Sequence, residues 1–164
     1  MNELPPKAVS ASRIELAELM MPHQANLLGK AFGGVILAMI DKAASTCAIR
    51  HAGRTCVTAS VDHVTFHSPI EIGELVRLLA SVNHAGRTSM EIGVKVISMN
   101  VATGDVRHTN SSYVTMVAID REGRPTPVPA LIVETEDDRR RQRAGAERAL
   151  ERKRIRDATR DRGT

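Results

Sequence analysis

The sequence predicts an α+β domain in which one long helix is wrapped by a curved antiparallel sheet. Three observations predict it. Residues 32–51 have a helical pattern that is apolar nearly all round, and such a helix belongs under cover. From Val57 onward the apolar period changes to two. The strands marked by that period are joined by short turns, which make neighbours antiparallel, and a helix set against such a sheet is the α+β layering.

Taken in order, residues 1–11 read as an N-terminal extension, and 12–21, SRIELAELMM, as a first strand or entry segment. A loop with Pro22, Asn26 and Gly29 leads into the helix, which is about 30 Å long and has Gly53 placed as its stop. In TCVTASVDHVTFHSPI, Val57, Ala59 and Val61 share a face. The apolar phase then slips to Val64 and Phe66, which predicts a bulge near Asp62 and His63. Ser68-Pro69 and Ile72-Gly73 mark a turn. Val76, Leu78, Ala80 and Val82 form the next inward face, and His84-Ala85-Gly86 turns the chain. Met90, Ile92, Val94 and Val96 alternate cleanly up to a turn at Thr103-Gly104-Asp105. A last long strand covers 106–119 and ends at Asp120-Arg121-Glu122-Gly123. Pro125-Thr126-Pro127-Val128-Pro129 closes the globular part, so the domain is placed at 12–130 and a charged tail at 131–164.

A chain of 164 residues suits one domain, and with no Trp, one Tyr and two Phe its core must be aliphatic. The formal charge is +4; from Glu134 on there are 11 basic and 8 acidic residues, against 12 and 11 before it. That tail favours helix by propensity. Leu150 and Ile155 are nearly its only large apolar residues, so it reads as a frayed helix or disordered, with little means of docking. Arg139-Arg140-Arg141 raises a partner or nucleic-acid reading, but the interspersed carboxylates would repel phosphate, and no nucleic acid is expected. No secretory leader pattern and no apolar run of about 18 residues is present, so no membrane segment is expected. Cys47 and Cys56 have neither metal nor redox spacing and read as buried thiols in a reducing cytoplasm, with no metal or other cofactor.

Asp41 interrupts the apolar helix. Its helical neighbours Gly34, Leu37, Ala38, Ala44 and Ser45 are mostly small, which admits close approach by a helix, a subunit or a ligand. One reading puts Asp41 at a solvated helix edge beside Lys42 or against an arginine; the other makes it functional. Gly33 and Gly34 begin the helix with free N–H groups at the positive end of its dipole, and such groups can stabilise an oxyanion. Asn26 is either a turn residue or a donor that positions water or substrate. With a carboxylate as general base or nucleophile, the set suits acyl transfer or hydrolysis without a Ser–His triad or a metal.

The motif AN-x-x-G-x-x-FGG-x-IL-x-x-ID, Ala25 to Asp41, resembles the opening of the hotdog-fold acyl-CoA thioesterases, nearest to the cytosolic acyl-CoA hydrolase and bacterial YciA-like type. VTFHSPIEIGE, GRTSMEIGV and YVTMVAIDREGRPTPVP agree with it, and the resemblance covers about 12–130. It implies the hotdog fold and hydrolysis of acyl-CoA to free acid and CoA. It also implies a catalytic Asn26 and Asp41 donated by different hotdog units, oxyanion amides at Gly33 and Gly34, and a CoA-contacting turn at Gly86-Arg87-Thr88-Ser89. The implied assembly is a homo-oligomer of hotdog dimers, with a trimer of dimers as one candidate. Leu28 stands where the family often has a second Asn or His, and the aromatic-poor core also departs from it. An acyl-CoA-binding module without catalysis, a sensor or carrier, is the alternative; the residues before Ala11 are too few for a helix-turn-helix. A hydratase on the same fold would need a His and Asp pair, drawn from His51, His63, His67, His84 and His108.

Overall fold

The structure is a computed structural model that describes residues 4–62 and 64–161. The strands are β1 (Lys7–Ala8), β2 (Ile14–Leu19), β3 (Cys56–Val61), β4 (Glu74–Ala85), β5 (Ser89–Asn100), β6 (Val106–Ala118) and β7 (Leu131–Ile132); the helices are α1 (Gly33–Ala52) and α2 (Glu136–Asp161). Five strands form one sheet in the order β2-β4-β5-β6-β3, every neighbour antiparallel, while β1 and β7 pair in parallel beside it.

The inward faces of β4 and β5 are those the alternation marks: Val76, Leu78, Ala80, Val82, Met90, Ile92, Val94 and Val96 are all buried. They meet Ile36, Met39, Ile40, Ala43, Ala44, Cys47 and Ala48 of α1 in one aliphatic core. The small side chains let the helix lie close to the sheet, and α1 ends where Gly53 adopts φ 68°, its N–H donating to the Ile49 carbonyl. Burial pushes the Cys47 thiol up to about 12 and the Cys56 thiol up to about 11, with Arg50 and Arg54 opposing, so both stay protonated and inert.

Three expectations need correction. Strand β3 stops at Val61, so Val64 and Phe66 do not continue it. Its register shift falls between Thr58 and Ser60 rather than at Asp62 and His63, and His63 lies outside the described residues. Second, α1 is not covered all round: Leu37, Ala38, Asp41 and Lys42 are exposed, because the sheet reaches only one side of the helix. Third, 136–161 does dock. Helix α2 packs on the outer sheet face through ion pairs, Arg13 with Asp138 at 2.6 Å and Arg148 with Glu91 at 2.6 Å, which an inspection of apolar residues alone does not reveal.

Candidate active site

The loop before α1 is shaped by Asn26. Its Oδ1 accepts the N–H groups of Leu28 at 2.9 Å and Lys30 at 3.1 Å, while its own N–H donates to the Lys30 carbonyl at 2.7 Å. Two backbone donors on one atom identify that atom as the oxygen, and they leave the amide nitrogen, a double donor, without a partner among the described residues. Both readings of Asn26 are therefore compatible with the geometry: the oxygen makes the turn and the nitrogen is available. Gly29 takes φ 71° in the same loop. An open cleft of about 530 Å³ is lined by Ala25, Asn26, Leu27, Leu28 and Phe32.

Phe32 precedes α1 and offers no side-chain cap. The first ladder bonds are the Val35 and Ile36 N–H groups donating to the Phe32 carbonyl, so the Gly33 and Gly34 N–H groups face no acceptor among the described residues. A Cβ at Gly34 would come within 2.5 Å of the Phe32 ring, so this position must be glycine for the ring to lie across the helix end.

Asp41 is exposed, and no arginine or lysine pairs with it among the described residues. Its contact is the Thr58 hydroxyl, which donates to Oδ1 at 2.5 Å from strand β3. The sequence does not single out Thr58: it is one of two hydroxyl residues, with Ser60, that alternate with apolar ones in this strand. Asp41 lies seven residues beyond Gly34, which is about 10 Å along the helix axis at 1.5 Å per residue. The hydrogen bonds of Asn26, all local to its loop, do not reach Asp41. Within one chain the loop and helix end form one group and Asp41 with Thr58 another.

The 86–89 turn closes the β4–β5 hairpin, with the Gly86 N–H donating to the Ser89 carbonyl at 2.8 Å. The Thr88 and Arg87 carbonyls are held by the Ala118 and Val128 N–H groups, which donate to them at 3.0 Å each. The Arg87 guanidinium makes no ion pair among the described residues. Elsewhere, a cleft of about 1010 Å³ between α2 and the outer sheet face contains none of the predicted site residues. His51 is buried, its ring nitrogens 3.1 Å from the Pro129 carbonyl and 3.4 Å from the Ser12 hydroxyl. His67 and His108 lie with their rings 6.1 Å apart. None of the described histidines bonds to Asn26 or Asp41. No group of His, Cys, Asp and Glu suited to a metal occurs among the described residues, and no described helix is long and apolar enough to cross a membrane.

Residues 28–103 match the Thioesterase superfamily. An acyl-CoA thioester hydrolase of Bacillus subtilis, itself uncharacterised, is 39% identical over 90% of this chain and 82% of its own length. The acyl-CoA hydrolase of Staphylococcus aureus, solved with butyryl-CoA, CoA and CoA disulfide, superposes with a TM-score of 0.89 at 33% identity, covering 96% of both chains. A hexameric acyl-CoA thioesterase superposes equally well, at 0.89 and 40% identity, over 93% of this chain and 97% of that one. This chain belongs to the acyl-CoA thioester hydrolases of the thioesterase superfamily and has their hotdog fold. The S. aureus enzyme has also been solved with an asparagine, an aspartate or a threonine changed to alanine, the aspartate 15 positions after the asparagine and the threonine 17 after the aspartate. Asn26, Asp41 and Thr58 have the same two spacings.

Proposed function

We propose that this chain hydrolyses acyl-CoA thioesters at a site assembled from two copies of itself. One copy supplies Asn26 with the Gly33 and Gly34 amides, and the other supplies Asp41 held by Thr58. The separation along α1 carries the reading. A base and an oxyanion donor must both stand about 3 Å from the reacting atoms, and Asp41 is about three times that distance from the amides of its own helix. A second copy removes the conflict. Strand β3 is an edge strand whose outer hydrogen-bonding side is open, and through the Thr58–Asp41 contact it lies beside the open Leu37, Ala38 and Asp41 face of α1. Pairing there would turn Asp41 toward the neighbour's Asn26 loop. The matching spacings in the S. aureus enzyme and the existence of a hexameric relative support the same arrangement.

At this site the glycine amides polarise the thioester carbonyl and receive its developing negative charge. The Asn26 amide nitrogen donates to the substrate or the attacking water. Asp41 takes a proton from that water, or attacks the carbonyl directly. By the first route the water oxygen bonds to the carbonyl carbon, the C–S bond breaks to free the acid, and the proton held by Asp41 passes to the CoA sulfur. By the second, Asp41 forms a mixed anhydride as the C–S bond breaks, the CoA thiolate takes a proton from solvent, and a water then hydrolyses the anhydride to free acid and restores Asp41. Phosphates of CoA meet Arg87 at the 86–89 turn, where Arg87 and Gly86 are exposed beside the half-buried Thr88 and Ser89. A homo-oligomer built on such dimers, a hexamer included, and a cytoplasmic location complete the reading. Thiol release from acyl-CoA tests it: Asp41→Asn should keep the fold and lower kcat by at least ~10²-fold. Full turnover in a folded Asp41→Asn protein would return Asp41 to a solvated helix edge.

A further inference from the structure

Glu91 is a carboxylate on the outer sheet face with its side chain wholly buried, 0% exposed. Arg148 of α2 grips it with two nitrogens: Nη2 donates to Oε1 at 2.6 Å, and Nε is shared between Oε2 at 3.1 Å and Oε1 at 3.2 Å. Arg152 adds Nη2 to Oε2 at 2.9 Å and reaches Asp62 Oδ2 with Nη1 at 2.6 Å. The Asn83 amide lies 3.3 Å from Oε1, and the Arg148 guanidinium sits 3.6 Å over the Tyr113 ring. His84 adjoins the cluster, and burial lowers its pKa, with Glu91 opposing and Arg152 adding to the effect. The two carboxylates and two guanidinium groups balance, so the cluster is closed and satisfied.

Its location matters more than its strength. Glu91 pairs with His84 across the β4–β5 ladder, only two residues from each end of the 86–89 turn. The register slips between Val82 and His84, leaving Asn83 as the extra residue. A bulge disrupts ladder pairing and bends the strand that carries it. The stem beneath the turn is thus its weak point, and the clamp sits on that point. Through Asp62, whose N–H donates to the Tyr113 carbonyl at 2.9 Å, the clamp also ties in the end of β3, the strand that carries Thr58. Buried ion pairs seldom stabilise a fold more than apolar residues of similar size would, so such a cluster is better explained by the geometry it imposes.

We infer that Arg148 and Arg152, clamped on Glu91, are positioning residues that hold the hairpin so that Arg87 meets the phosphates of CoA. This rests on the proposed CoA turn and goes beyond it by giving α2 a part in substrate binding.

The test uses the full-length chain and two substrates. One is a short acyl-CoA; the other is the matching acyl N-acetylcysteamine thioester, which keeps the reacting group and lacks the nucleotide and its phosphates. Removing one charge alone would strand the other, so the variant is Glu91→Gln with Arg148→Gln, checked for fold by circular dichroism and for assembly by sedimentation. KM for acyl-CoA should rise about three- to tenfold with kcat nearly kept, the pattern of lost ground-state binding, while the N-acetylcysteamine ester is turned over as before. Arg148→Lys keeps the charge but cannot make the two-pronged contact. It should show the same substrate selectivity at smaller size, and it serves if the double variant does not fold. Equal losses on both substrates would mark the clamp as merely structural and overturn the inference. So would an unchanged KM beside a raised one in Arg87→Ala, which overturns the clamp alone. An unchanged KM in Arg87→Ala would overturn the CoA turn, and the clamp's role with it.

Discussion

Thr58 and Asp41 form the contact on which the proposed chemistry depends at the level of single residues. A hydroxyl donating to a carboxylate fixes the carboxylate's rotamer and is worth roughly 1.5–3 kcal/mol when the acceptor is charged. Thr58→Val keeps the shape and removes the donor, so kcat should fall about ten- to hundredfold. If Thr58 works through Asp41, the same substitution in an Asp41→Ala background should cost nothing further; additive losses would give Thr58 a separate role. Asn26, Gly33, Gly34 and Asp41, the residues proposed for the site, could be singled out together in the sequence because one short motif holds all four. Thr58 could not, because its approach to Asp41 depends on how β3 lies against α1, and a register shift beside Thr58 decides which way it points. A second residue-level expectation concerns His51, whose pKa lies below its ordinary 6.5, chiefly through burial, with the Pro129 carbonyl opposing and Lys7 adding. The folded chain thus binds the proton less readily than the unfolded chain. Stability should fall as pH drops below about 6.5 and level off only below the folded pKa. Denaturant melts between pH 7.5 and 5 should show that slope, and His51→Gln should reduce it, leaving the share of His84, whose pKa burial also lowers.

Among the elements, α1 and the inward faces of β4 and β5 could be read in advance because burial imposes a strict period and Gly53 marks a stop. Helix α2 could be read as a helix but not as a docked one. Docking is conventionally inferred from an apolar stripe, and this helix instead carries Arg148 and Arg152 to a carboxylate that appears, in sequence, as an ordinary outward position between Met90 and Ile92. Close approach of the two surfaces relies on Gly145. A Cβ there would stand 3.0 Å from the His84 Cβ, 3.1 Å from Glu91 Oε1 and 3.3 Å from the Asn83 Cβ, all tighter than ordinary contact. On an isolated helix, glycine to alanine gains about 1 kcal/mol. Here the same change should destabilise, since His84, Glu91 and Asn83 would each have to give by a few tenths of an ångström, which strains the Arg148–Glu91 bonds. A thermal melt of Gly145→Ala with a midpoint at or above that of the parent would show that α2 does not bear on the sheet as tightly as the contacts imply.

For the whole molecule the question is which chain each half of the site comes from, and the answer has a distinctive numerical signature. If Asn26 and Asp41 act across a two-fold interface, Asn26→Ala and Asp41→Ala proteins are each nearly inactive, because every site lacks one partner. Unfolded together in equal amounts and refolded, the two variants should give about half mixed dimers by random association. A mixed dimer has one site lacking both residues and one retaining both. Roughly a quarter of parental activity should therefore return, although neither chain is competent alone. If both residues act within one chain, every site in every species stays damaged and nothing returns. A native mass spectrum must accompany the assay, since chains that fail to mix would also give no recovery. Mixed dimers observed without recovered thiol release would place both residues in one chain, and α1 would then have to deform to close about 10 Å between Asp41 and its own N-terminal amides. A rigid 20-residue helix packed against the sheet along its buried face leaves little room for that, which is why recovery near one quarter is the expected outcome.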